Sequence, residues 1–222
     1  RIGGRAFGII YNTPEPVDKI TPCDPANLET STIYEKQSGN ILYPDTSFKI
    51  AKTIRDVNVE GLPLLIITNW RGFSGGTRDM YTHVLDFGAM IISELVDYRQ
   101  PVYIYVPDGG QLRGGSMVVF SKSINPLIKF CVNPTAHINV LEPNATKELK
   151  YKHKDIVRYA DTHDITFEDA DQIATLYTDL NDNVHADNTI LHDETKERII
   201  DKTCSLSELR DYILSFTPVT PF

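Results

Sequence analysis

The segment Asn69-Trp70-Arg71-Gly72-Phe73-Ser74-Gly75-Gly76 concentrates the residue types that can hold negative charge. Its glycines permit positive φ and let a ligand approach the backbone, and a helix start just after it offers unpaired amides and a positive dipole end. The charge could be a phosphate, a carboxylate or an oxyanion that develops only during reaction. Arg71 could hold a carboxylate through two parallel hydrogen bonds. A purely structural reading stands beside these: the glycines make a tight turn and Arg71 pairs with a surface acid. Two nucleotide readings fail directly. No Gly-x-x-x-x-Gly-Lys-Ser/Thr occurs, and no Gly-x-Gly-x-x-Gly follows a strand candidate.

Gln111-Leu112-Arg113-Gly114-Gly115-Ser116 repeats the ingredients, with paired glycines, an arginine and a small hydroxyl residue. Two such turns on successive units could face one ligand from two sides, or each could be an ordinary turn with Arg113 in a structural ion pair. Acid–base machinery is not evident. His83 lies on the flank of a helical stripe, His137 in an irregular stretch, and His153, His163, His185 and His192 in polar segments. No His, Cys or Asp grouping has metal or triad spacing, so no metal is expected. A reaction stabilised by amides fits this inventory better than one driven by a side-chain base. Cys23, Cys131 and Cys204 stand far apart, which excludes Cys-x-x-Cys spacing and predicts reduced, buried thiols.

The elements that must position these turns follow from periodicity. Ala6–Tyr11 reads as a buried strand, ended by Asn12, Pro14 and Pro16, and a loop is expected from Thr13 to Pro44. Phe48, Ile50, Ala51, Ile54 and Val57 predict an amphipathic helix over 47–57, capped by Asp45 or Thr46. The all-apolar Leu62–Ile67 predicts a strand buried on both faces. Met80, Val84, Leu85, Phe87, Ile91, Ile92 and Leu95 then form one long helical stripe from Thr77, with Gly88 inside it. Val102–Val106 is the next strand, and Met117–Phe120 a short apolar run after the second turn. Strand, glycine turn, helix recurs, and that order predicts an α/β architecture with crossover connections. Residues 145–160 read as a largely solvated helix, with further helices expected at 169–180 and 205–216.

With 222 residues, 41% of them hydrophobic, the chain can bury one substantial core. Lys plus Arg number 22 against 30 Asp plus Glu, a net charge of -8, which disfavours nucleic acid or an anionic membrane as partner. The longest apolar runs reach only a strand's length, so a soluble chain is expected. It opens on Arg1-Ile2-Gly3-Gly4 with no Met and no apolar signal core, and therefore reads as a piece of a longer protein, any targeting peptide lying outside it.

Asn69 to Gly76, continued by Thr77-Arg78-Asp79-Met80, closely resembles the Asn-Trp-Arg-Gly-Phe-Ser-Gly-Gly-x-Arg-Asp signature of the carboxyltransferase domain of eukaryotic-type acetyl-CoA carboxylases. Further segments resemble that family in order: Ile2-Gly3-Gly4, Pro22-Cys23-Asp24-Pro25-Ala26-Asn27, Leu112-Arg113-Gly114-Gly115-Ser116, Ile124-Asn125-Pro126 and Val140-Leu141-Glu142-Pro143. The resemblance implies a crotonase-like fold, a superhelix of β-β-α units. Residues 1–160 would be the C-terminal crotonase-like subdomain and 161–222 a divergent, mainly helical extension. The Trp-Arg pair separates the turn from propionyl-CoA-type relatives, which implies acetyl-CoA as acceptor.

The implied activity is transfer of a carboxyl group from N1-carboxybiotin, carried on a separate mobile domain, to acetyl-CoA, giving malonyl-CoA in the first committed step of fatty acid synthesis. It would need one oxyanion site for the thioester enolate and one for the biotin ureido oxygen. Biotin itself would take the methyl proton, in keeping with the missing protein base. The resemblance makes the amides of Gly75, Gly76, Gly114 and Gly115 the candidate oxyanion donors and has Arg71 orient the carboxyl group. Ser74, Arg113, Ser116 and Glu142 are the candidate substrate contacts, and Val84 would line a cavity that inhibitors of the family enter. Implied partners are biotin carboxylase and biotin carboxyl carrier domains, the N-terminal carboxyltransferase subdomain and a second copy in a homodimer. The implied location is the cytoplasm or a plastid. Because the family's sites form between the first domain of one subunit and the second of the other, this chain alone would be half a site.

Several positions depart from the family pattern. Gln111 stands for a Glu, Met117 for a Trp and Ala145 for a Gly, and Tyr177-Thr178-Asp179-Leu180-Asn181-Asp182 matches only part of Phe-Ala-Asp-Leu-His-Asp. They motivate the alternative of a catalytically degenerate crotonase-like scaffold kept for dimerisation or regulation. A third reading is an anion-binding module using the same turns for phosphate.

Overall fold

A computed structural model of the chain describes residues 1–27, 29–139, 141–182 and 200–216. Its strands are β1 (Gly8–Tyr11), β2 (Val17–Thr21), β3 (Ile33–Gln37), β4 (Leu64–Ile67), β5 (Val102–Val106), β6 (Gln111–Arg113), β7 (Ile128–Val132), β8 (His137–Asn139) and β9 (Lys202–Thr203). Its helices are α1 (Pro44–Val59), α2 (Thr77–Tyr81), α3 (Val84–Val96), α4 (Gly115–Val118), α5 (Pro143–Lys150), α6 (His153–His163), α7 (Phe167–Asp182) and α8 (Leu206–Phe216).

The main sheet is parallel, in the order β1-β4-β5-β7-β9. β5 shows why the central strands β4 and β5 are apolar throughout. Val102, Ile104 and Val106 face one way into a core shared with Ala51 and Ile54 of α1 and Ile91 and Leu95 of α3. Tyr103 and Tyr105 face the other way and pack with Leu209, Tyr212 and Ile213 of α8. Helices on both faces require a side chain of either parity to be buried, and alternation disappears from the sequence. Tyr103 remains compatible with burial because its hydroxyl donates to the Ile213 carbonyl at 3.3 Å.

A second, shorter layer lies at the carboxyl ends of these strands. β6 pairs in parallel with β8, a bridge joins Trp70 to Leu112, and another joins Leu42 to Phe73. Each long strand is thus followed by a short one and then a helix: β4, Trp70–Phe73 and α2–α3; β5, β6 and α4; β7, β8 and α5. These are the β-β-α units that the family resemblance implies.

Some local expectations are corrected. The expected loop 13–44 contains the antiparallel hairpin β2–β3, with Val17, Ile20, Ile33 and Tyr34 all exposed. Those positions carry no core-facing alternation that a sequence pattern could report. α1 starts earlier than expected, capped at Tyr43 with Pro44 preset for the first turn, and the Thr46 hydroxyl takes the Tyr43 amide at 2.8 Å. The long stripe from Thr77 is two helices, broken where His83 adopts φ 66. The solvated helix 145–160 is likewise two, α5 and α6, parted at Tyr151, whose extended backbone leaves the helical region. Ile156 and Ala160 of α6 are buried against α7. The cysteines differ most: Cys23 is exposed, and Cys131 and Cys204 are joined as a disulfide. Parallel pairing of β9 on β7 brings these two together across 73 residues of sequence, which spacing cannot reveal.

Asn125, 3% exposed, closes the end of α3. Its amide nitrogen donates to the carbonyls of Leu95 and Tyr98, both at 2.8 Å, and its oxygen accepts the Leu127 amide at 2.8 Å. Asn125→Ala should cost roughly 2–4 kcal/mol, since it orphans several buried backbone groups at once. The shift of the urea midpoint measures it, and a loss below about 1 kcal/mol would mean that water replaces the amide.

Candidate functional site

Two asparagines at the sheet's carboxyl end hold the first turn. Asn12, just past β1, donates through Nδ2 to the Asn69 carbonyl at 3.0 Å and accepts the Asn69 amide at 3.0 Å. Asn69 Oδ1 in turn accepts the Gln111 amide at 2.9 Å and so fixes the start of β6. The backbone of the turn is then paired on both sides. The Arg71 amide donates to Asn40 at 2.7 Å, the Leu42 amide to Gly72 at 2.9 Å, and the Ser74 amide to Leu42 at 2.8 Å. On the other side the Arg113 amide and the Ser116 hydroxyl reach the Trp70 carbonyl, at 2.9 and 3.2 Å. Gly72, at φ 124, meets this requirement as only glycine does comfortably, with the Arg113 carbonyl beside it.

Beyond Ser74 these pairings end. Gly75 and Gly76 are exposed, and nothing lies within 4 Å of where a Gly75 Cβ would sit. The Gly76 amide reaches Ser74 Oγ at 3.4 Å, and the Ser74 hydroxyl donates to the Asp79 carboxylate in a short bond. In the second turn the Gly114 amide goes to the Asn139 carbonyl at 3.3 Å, while Gly115 is exposed and opens α4. Among the described residues the amides of Gly75 and Gly115 have no hydrogen-bond partner. Of the four glycine amides expected to act, these two are the ones open to a ligand.

Phe73 packs the first turn against α3 and the second turn, a role the sequence did not disclose. Its ring lies between Gly88 of α3, where a Cβ would come within 2.8 Å, and Gly115, where a Cβ would sit 3.5 Å away. Gly88 inside the helical stripe was the available signal: a glycine there marks close approach of another group.

The remaining candidates divide. Arg71 is exposed in the first turn and its guanidinium meets the Glu142 carboxylate, Nε to Oε1 at 2.8 Å, with both side chains about two-fifths exposed (41% and 43%). Arg113 is 2% exposed and turned inward, Nη1 to the Leu141 carbonyl at 2.6 Å and Nε to Gln111 Oε1 at 3.2 Å. Ser116 is buried, its hydroxyl spent on backbone carbonyls. Val84 is fully buried at the start of α3. Arg71, Glu142, Gly75, Gly76 and Gly115 therefore present surface, whereas Arg113, Ser116 and Val84 support it.

His83 pairs with Asp86 at 2.8 Å, His163 with the Tyr159 carbonyl at 2.9 Å, and the His153 ring meets Phe167 at a tilt, centroids 4.8 Å apart. His185 and His192 lie outside the described residues. Among the described residues no group of three or more His, Cys, Asp or Glu side chains could hold a metal ion, and no helix is long and apolar enough to cross a membrane. Two grooves, of about 400 and 370 Å³, flank the hairpin β2–β3 and are not lined by the four glycines.

The family model for the carboxyl transferase domain matches residues 1–212. The chain belongs to that family. Among curated relatives, this carboxyltransferase domain is 45% identical over 159 residues to "Acetyl-CoA carboxylase, mitochondrial" of Saccharomyces cerevisiae, in strains YJM789 and RM11-1a. The match covers 71% of this chain and 7% of the relative, so the chain spans a small part of the proteins it resembles. Among solved structures, transcarboxylase 12S superposes with a TM-score of 0.63 at 15% identity, over 94% of this chain and 38% of that one. The β subunit of Pseudomonas aeruginosa geranyl-CoA carboxylase does so with a TM-score of 0.59 at 16% identity, over 91% and 36%. At such identities the likeness speaks for the fold, and the crotonase-like architecture expected from the motifs is the one observed.

Proposed function

We propose that this carboxyltransferase domain moves the carboxyl group of N1-carboxybiotin to acetyl-CoA, forming malonyl-CoA, as one half of a site completed by an N-terminal carboxyltransferase subdomain in a dimer. The observation that carries the reading is the joining, through the Trp70 carbonyl, of two glycine turns that each leave one exposed amide open, with Arg71 exposed in the first. Carboxybiotin, delivered by a carrier domain, supplies the activated carboxyl group. It would give up the carboxyl group to the acetyl methyl carbon and take the methyl proton on its freed nitrogen, while Arg71 and the open glycine amides of this chain would hold the reacting groups.

This chain's residues bind and stabilise. The Gly75 and Gly115 amides fit oxyanions, being exposed and unpaired donors beside the paired backbone of their turns. Arg71 orients the carboxyl group between acceptor and donor, which lowers the barrier by fixing near-attack geometry. In this reading the proton goes to the departing biotin nitrogen, and no side chain is assigned as base.

Mixing the isolated chain with carboxybiotin and acetyl-CoA should yield negligible malonyl-CoA. Adding the N-terminal subdomain should restore it. Robust product from the isolated chain would refute the shared site, and inactivity of the reconstituted dimer that still binds both substrates would favour the degenerate scaffold. Inorganic phosphate displacing CoA thioesters with equal affinity would favour an anion-binding module.

A further inference from the structure

We infer that Glu142 is a displaceable latch on Arg71, held in place by the buried Arg113, and that the carboxylate of malonyl-CoA competes with it for the guanidinium. This rests on the carboxyltransferase reading of Arg71 and adds a competitor carried by the same chain.

The geometry argues for exchange. Glu142 sits at the N-cap of α5, where a carboxylate would ordinarily turn to the first helical amides, yet its side chain caps nothing there. It reaches instead to Arg71, whose Nε and Nη2 both converge on Oε1. That contact spends one oxygen and one edge of the fork, leaving the N–H groups of Nη1 outside the pair. Glu142 is the guanidinium's only partner among the described residues.

Arg71 is held from behind by the hydrogen bond its backbone N–H donates to the Asn40 carbonyl, and Glu142 is held by its neighbour, because Arg113 Nη1 donates to the Leu141 carbonyl at 2.6 Å. Arg113 thus acts as a positioning residue. The pair itself is exposed to solvent at 41% and 43%, and ion pairs of this kind shift equilibria by no more than a factor of about five. A substrate carboxylate stacked in bidentate fashion on the same fork can therefore replace Glu142 at small cost. Acetyl-CoA has no carboxylate and does not compete.

In the reconstituted two-domain dimer, Glu142→Gln should tighten malonyl-CoA relative to acetyl-CoA, read as the ratio of Kd values and as KM in the reverse reaction, by about two- to fivefold. Glu142→Asp keeps the charge but shortens the reach, and should tighten malonyl-CoA in the same direction. Arg71→Ala, measured alongside, should weaken malonyl-CoA. Unchanged or weaker malonyl-CoA binding in Glu142→Gln, or Glu142→Asp indistinguishable from the parent, overturns the latch while a deleterious Arg71→Ala leaves the carboxyltransferase reading standing. If Arg71→Ala has no effect on malonyl-CoA, the role of Arg71 and the latch built on it both fall.

Discussion

Arg71→Ala in the reconstituted dimer is expected to lower the rate of malonyl-CoA formation by about 10²- to 10³-fold, the loss typical of removing one preorganised donor from a developing negative charge. The fall should appear in kcat as well as KM, because Arg71 orients the group being transferred and does more than bind it. Folding should be nearly unaffected: the side chain is 41% exposed and its pair with Glu142 is of the surface kind, good for under about 1 kcal/mol. Arg71→Lys should recover only a small part of the rate, since an ammonium supplies charge without the planar fork. Steady-state kinetics with carboxybiotin, beside circular dichroism of each variant, makes the comparison. A rate within threefold of the parent would remove Arg71 from the mechanism.

Trp70→Ala should be the most damaging single change to stability, at about 3–5 kcal/mol, a large share of the roughly 5–15 kcal/mol that holds a domain folded. Trp70 is 1% exposed and packs on Phe120 with ring centroids 5.3 Å apart, and Phe120 meets Phe130 of β7 at 6.3 Å. Its carbonyl is also where the two turns join, accepting both the Arg113 amide and the Ser116 hydroxyl. Trp70→Phe should cost less than half as much. The indole Nε1 is buried without a hydrogen-bond partner, so removing it relieves an unsatisfied donor and partly offsets the lost volume. Urea midpoints of the two variants test this. Equal losses would show that the nitrogen is satisfied and that shape alone matters.

Trp70 also separates the two roles contained in one motif. Within Asn69–Gly76, Asn69, Trp70 and Gly72 serve the joint between turns, whereas Arg71 and Gly75 face outward. The sequence motif makes them look alike. Burial divides them, and the same division falls across Arg113-Gly114-Gly115-Ser116, where only Gly115 is left exposed with an open amide.

Much of the local structure is legible along the chain because it depends on near neighbours. The apolar runs of β4 and β5, the stripe of α1 and the glycine turns after each strand state their periods within a few residues, and a sheet covered on both faces follows from them. The family follows from the side-chain order of one turn and its companions. What depends on contacts distant in sequence is not written that way. Arg71 meets Glu142 across 71 positions, Cys131 meets Cys204 across 73, and Phe73 fits against both Gly88 and Gly115. His83 breaks a helix whose apolar stripe continues through it, because a stripe reports which face is buried and is blind to one left-handed residue. Nor can residue type say which of four glycine amides stays open: that is settled by whether a carbonyl, such as that of Asn139 for Gly114, has been brought within reach.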